Sequence, residues 1–85
     1  MARLLYFARL RETLGSAGEE LPDLPEGVTR VDALIDHLAR RGPTWRAALR
    51  DDPRVLIAVN QVLVARDHAI GAADEIAFMP PVTGG

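Results

Sequence analysis

The chain has 85 residues, 48% of them hydrophobic, no cysteine and a formal net charge of −2. That length allows one small domain, and the missing cysteines exclude a disulfide framework, a thiolate metal site and a thiol nucleophile. All ten basic residues are arginine, set against twelve scattered carboxylates, so the basic excess or basic stripe of a nucleic-acid-binding domain is missing.

Residues 3–9 read as the first strand, with Leu4, Tyr6 and Ala8 on one side and Leu5 and Phe7 on the other. Residues 10–18, which include Gly15, Ser16 and Gly18, read as a turn-rich connection. The stretch 19–24 predicts a short strand broken by Pro22, at an edge because proline cannot donate to a ladder. The helix signal follows. Thr29 is placed as its N-cap, with Asp32 in the capping-box position, and Val31, Leu34, Ile35 and Leu38 form an apolar stripe at helical spacing. Gly42 and Pro43 stop it.

Residues 44–50 predict a further short helical piece, its buried side made by Trp45, Ala48 and Leu49. Strands over 55–59 and 62–64 are separated only by Asn60 and Gln61, a spacing that suits a tight hairpin with Asn60 at positive φ. A polar link, 67–74, leads to a last strand over 75–79, with Ile76 and Phe78 facing one way and Ala77 and Met79 the other. The economical architecture is α+β: one main helix across one mixed sheet of four to five strands, over residues 1–79. The longest apolar runs fall far short of the ~18 residues of a membrane span, and the run 4–8 is too short for a signal-peptide core. The expectation is a soluble, cytoplasmic protein with neither nucleic acid nor membrane as a partner.

An ordinary active site is hard to find in these residues. His37 and His68 have no metal-ligand spacing, so no metal site is predicted. The pairs Glu19-Glu20 and Asp51-Asp52 are sequence neighbours that point apart in regular structure, and Ser16 lacks a nucleophile elbow. No phosphate-binding loop is present. With no lysine, the chain also lacks a side-chain amine to accept an acyl group. No intrinsic cofactor is expected.

What remains is the tail, residues 80–85. Pro80 and Pro81 cannot continue the ladder and favour an extended arm. Six residues reach at most ~20 Å. Gly84 and Gly85 carry no side chain, so the tip passes through a narrow channel, and a terminal carboxylate there is open to activation beside ATP.

With the tail in view, the sequence resembles the small subunits of molybdopterin synthase, ubiquitin-like sulfur carriers of the β-grasp fold. The resemblance rests on Tyr6-Phe7-Ala8 with Leu10-Arg11-Glu12, on Val59-Asn60-Gln61 before Leu63-Val64, and on Asp67-His68. It continues through Asp74-Glu75-Ile76-Ala77-Phe78 and is most specific in Pro80-Pro81-Val82-Thr83-Gly84-Gly85. Gly71-Ala72-Ala73 departs from the Asp-Gly turn common in that family.

The resemblance implies a division of labour. A partner activating enzyme uses ATP to adenylate Gly85, and a sulfur donor converts it to a thiocarboxylate. The tail, with Pro80, Pro81, Val82, Thr83 and Gly84 giving access, then enters the large subunit of a heterotetrameric synthase. There the sulfur passes to cyclic pyranopterin monophosphate to build the dithiolene. The other open readings are a protein modifier joined to its targets through Gly85 and a carrier for another sulfur pathway. Docking needs a surface, and strand alternation places Phe7, Leu63 and Met79 on the sheet face away from the helix, where they form the candidate partner interface.

Overall fold

The computed structural model describes residues 1–81; the expectations for Val82, Thr83, Gly84 and Gly85 lie outside the described residues. Strand β1 (Ala2–Tyr6) leads into helix α1 (Ala8–Leu14) and strand β2 (Gly18–Leu21). Helix α2 (Val31–Ala39) is followed by α3 (Pro43–Trp45), which runs on as a π-helix (Arg46–Arg50). Strands β3 (Leu56–Val59), β4 (Val62–Val64) and β5 (Glu75–Met79) complete the order. Among the described residues, five strands form one sheet in the order β2-β1-β5-β3-β4. The central pair β1–β5 is parallel and the other pairings are antiparallel. The sheet is therefore mixed, as expected, with β2 at an edge.

Alternation sorts each strand into two faces. Leu4 and Tyr6 of β1, Ile57 and Val59 of β3, and Ile76 and Phe78 of β5 turn towards α2, whose Val31, Leu34, Ile35 and Leu38 are all buried. This one layer of contact is the core. Leu49 of the π-helix is buried with it, while Trp45 and Ala48 pack at its margin.

Three local expectations are corrected. The first strand ends at Tyr6, and 8–14 form a helix rather than a connection. The change of direction happens at Ala8, whose φ is 52°. Leu10 and Leu14, one helical turn apart, then pack inward, and Gly15 ends the turn in the left-handed conformation with its N–H donated to the Arg11 carbonyl. The second strand is shifted to 18–21, ahead of Pro22. A Cβ on Gly18 would come within 2.6 Å of the Leu4 carbonyl oxygen, so only glycine brings the two strands this close.

The third correction concerns the start of α2. Arg30, not Thr29, occupies the N-cap position, and no side chain there caps the helix. The first amides find partners elsewhere. Val31 donates to the His68 carbonyl at 3.0 Å and Asp32 to the Arg66 carbonyl at 2.8 Å, while Ala33 donates to the Asp32 carboxylate. The 66–68 loop does the work that a capping box would have done.

The hairpin follows expectation and extends it, since both Asn60 (φ 50°) and Gln61 (φ 70°) are left-handed. The Asn60 side chain donates to Asp74 at 2.9 Å and accepts from the Glu75 amide at 3.0 Å. Asp74 in turn accepts the Gly71 N–H at 2.8 Å, closing the 71–74 turn. These two hydrogen bonds, the one from Asn60 first, hold the Asp74 carboxyl below the usual carboxylate range.

Candidate functional site

β5 lies at the centre of the sheet and delivers the chain to Pro80 and Pro81, both half-buried. Everything beyond therefore starts from a rigid strand hydrogen-bonded on both sides. Phe7 extends the β1–β5 ladder by one step, its N–H donating to the Phe78 carbonyl at 3.1 Å, and this sets Phe7 alongside Met79 at the tail root.

The face of the sheet turned away from α2 is apolar. One row across it reads Leu63, Ala58, Ala77, Leu5, and the next pairs Leu56 with Met79. Phe7 is 46% and Leu63 63% exposed, and Met79 is half-buried. The structure thus brings the three sequence-predicted interface residues onto one face. It adds Leu5, Leu56, Ala58 and Ala77, which strand alternation could have supplied once the register was known. Ala58 and Ala77 are buried, so the apolar surface open to solvent is carried by Phe7 and Leu63 with the half-buried Leu5, Leu56 and Met79, and exposed apolar surface marks interaction sites.

Beneath the other face lies a polar latch that sequence reasoning missed. The Tyr6 hydroxyl donates to Glu19 at 2.9 Å, and Arg41 grips the same carboxylate with two bonds of 2.6 and 2.7 Å. The Arg41 guanidinium sits 4.6 Å above the Trp45 ring, which meets the Tyr6 ring edge-on at 5.4 Å. Burial, then the nearby Glu19, pushes the Tyr6 hydroxyl far above its ordinary value. The Arg41 hydrogen bonds hold the Glu19 carboxyl low.

Because the folded carboxyl titrates lower than the unfolded one, its contribution is present above the unfolded value of about 4.3 and is lost as pH falls through the folded value. Replacing Glu19 by Gln is expected to cost about 1 kcal/mol at pH 7, a drop of roughly 4–8 °C in melting temperature. The gap between variant and wild type should close as pH falls through the folded value of Glu19. A gap that persists below it would mean that the loss is one of packing rather than of charge.

Among the described residues no cluster of histidine and carboxylate side chains could hold a metal ion, and no helix is long and apolar enough to cross a membrane. The two histidines and the paired carboxylates are not brought together into a site; Glu19 serves the latch and Asp52 pairs with Arg54.

Similarity to known proteins extends along the whole chain. The ThiS family model matches residues 4–85. The molybdopterin synthase sulfur carrier subunit of Escherichia coli is 45% identical over 86 residues, covering 100% of both chains. A solved structure of a putative molybdopterin converting factor, subunit 1, from Pyrococcus furiosus is 33% identical with a TM-score of 0.74, covering 95% of this chain and 97% of that one. Small archaeal modifier protein 1 of Haloferax volcanii is 25% identical with a TM-score of 0.70, covering 95% and 97%. The mixed five-stranded sheet crossed by α2 is the β-grasp of these neighbours, and the chain belongs to the ThiS family, alongside the molybdopterin synthase sulfur carrier subunits.

Proposed function

We propose that the chain is the sulfur-carrying subunit of a molybdopterin synthase and that Gly85 carries the sulfur. The observation that supports this best is the pairing of a full-length relative of that name with an apolar docking face at the tail root. The Gly85 carboxylate attacks the α-phosphorus of ATP on an activating enzyme, and pyrophosphate leaves. Sulfur delivered by a donor at the hydrosulfide level then displaces AMP from the acyl carbon, the C–S bond forming as the C–O bond to AMP breaks and the S–H proton being lost, which leaves a thiocarboxylate. This anion is a good sulfur nucleophile at neutral pH. Phe7, Leu63 and Met79 dock the domain on the large subunit, two copies of each making a heterotetramer. Pro80 to Gly84 carry the sulfur into the large subunit, where it passes to cyclic pyranopterin monophosphate. The groups that bind and protonate that substrate belong to the large subunit; this chain supplies position.

A second reading has its own support. The likeness to an archaeal modifier protein favours a chain whose Gly85 is joined to amines of target proteins after the same activation step. Intact mass after incubation with the activating enzyme, ATP and a sulfur donor decides the first point. The expected product has one oxygen of Gly85 replaced by sulfur. An unchanged mass in an otherwise active system would overturn the carrier reading, and amide-linked products without sulfur would favour the modifier.

A further inference from the structure

Three irregularities of the backbone meet at one place. Ala8 is a non-glycine residue in the left-handed region, which costs roughly 1–2 kcal/mol. Arg46–Arg50 is a π-helix, a rare form that gathers at functional sites. Between them the chain leaves the sheet at Pro80 and Pro81. Ala8, Ala47, Ala48, Pro80 and Pro81 line a single groove of about 610 Å³, with the exposed Arg9 and Thr44 also facing it.

The groove is held in shape from behind. Arg66 donates to the Leu49 and Asp52 carbonyls at 3.4 and 2.9 Å, tying the end of the π-helix to the loop after β4. Arg54, another lining residue, is occupied by Asp52. Arg9 takes part in none of the ion pairs found among the described residues. The left-handed turn at Ala8 separates two surfaces: Phe7 goes to the open face of the sheet and Ala8 to the groove. Both surfaces therefore flank the same tail root.

We propose that this groove seats a segment of the synthase large subunit that offers a carboxylate to Arg9 and apolar side chains to the lining formed by Ala8, Ala47 and Ala48 over the buried Leu10 and Val55. The proposal rests on the functional reading above. A protein that takes up the tail must pass Pro80 and Pro81, and these two residues are a wall of the groove, so the groove continues the docking surface around the root. The small side chains of Ala8, Ala47 and Ala48 leave room for an approaching backbone. Arg9, exposed at the edge, selects the sign of the charge that comes with it. Two contacts on opposite sides of the root would fix the direction in which the tail leaves, which one flat apolar face cannot do.

The test titrates purified large subunit against the full chain and three variants. Arg9→Glu and Ala47→Glu alter exposed groove positions, and Leu63→Asp alters the open face. Thermal melts of each variant check the fold. Each groove variant is expected to weaken binding about tenfold or more, with wild-type binding falling as salt rises and Arg9→Glu losing most of that dependence. If both groove variants bind as wild type does while Leu63→Asp does not, the groove proposal is overturned and the functional reading survives. Groove variants that weaken only the activating enzyme overturn it too. If the wild-type chain does not bind the large subunit at all, the functional reading falls and takes the groove with it.

Discussion

Deleting Gly85, or adding one residue after it, is expected to abolish sulfur transfer and leave the fold intact. Each residue changes the reach of an extended chain by about 3.3–3.6 Å. Reaction needs its atoms about 3–3.5 Å apart, and a misplacement of ~1 Å can cost a factor of about a hundred. One residue too few or too many therefore takes the acyl carbon out of range of both the activating enzyme and the acceptor. The core, in contrast, is complete without the tail: its last member is Phe78. Stability should change by less than about 0.5 kcal/mol in either variant. Denaturant titration and a single-turnover transfer assay check the two halves separately. Normal transfer by the shortened chain would show that Gly85 is not where the sulfur sits, and a large stability loss would make the tail part of the fold.

The second large effect contrasts two phenylalanines on opposite faces of one sheet. Phe78 is fully buried and stacks on Tyr6 with ring centroids 5.8 Å apart. Phe78→Ala is expected to cost about 3–5 kcal/mol. For a domain of this length, with roughly 4–13 kcal/mol to lose, that is a large share of all its stability. Phe7→Ala should cost at most about 0.5 kcal/mol of stability. It should instead weaken binding of the large subunit by about tenfold, which is ~1.4 kcal/mol. Equilibrium unfolding and calorimetric titration of both variants measure this. A Phe7→Ala chain that unfolds easily, or that binds as before, would remove Phe7 from the docking surface.

Most of the fold follows from patterns that are local in the sequence. The α2 stripe of Val31, Leu34, Ile35 and Leu38 has one period and one face, so the apolar side of the helix is legible from nine consecutive residues. The Asn60-Gln61 turn and the alternation in β5 are equally local. What escaped depends on partners far along the chain. The apolar run Leu4 to Ala8 continues a strand pattern past the point where the structure turns, because a left-handed alanine leaves no mark in composition. Thr29 has the chemistry of a cap, yet the 66–68 loop takes that place. The π form of Arg46–Arg50 is likewise invisible in RAALR, which reads as an ordinary helical turn. For the site, Phe7, Leu63 and Met79 were legible from alternation, while the latch joins residues up to 35 positions apart, Tyr6 to Arg41, and the groove exists only after folding.

Trp45 gives the molecule an optical reporter of its own. It is the single tryptophan, and it sits between the latch and the groove: its ring touches Tyr6 and Arg41, and its neighbours Thr44 and Ala47 line the groove. The open face lies on the other side of the sheet. Its fluorescence is therefore tuned to one of the two surfaces at the tail root and blind to the other, so unlabelled protein can distinguish in real time between a partner resting on the sheet and one that has closed around the root.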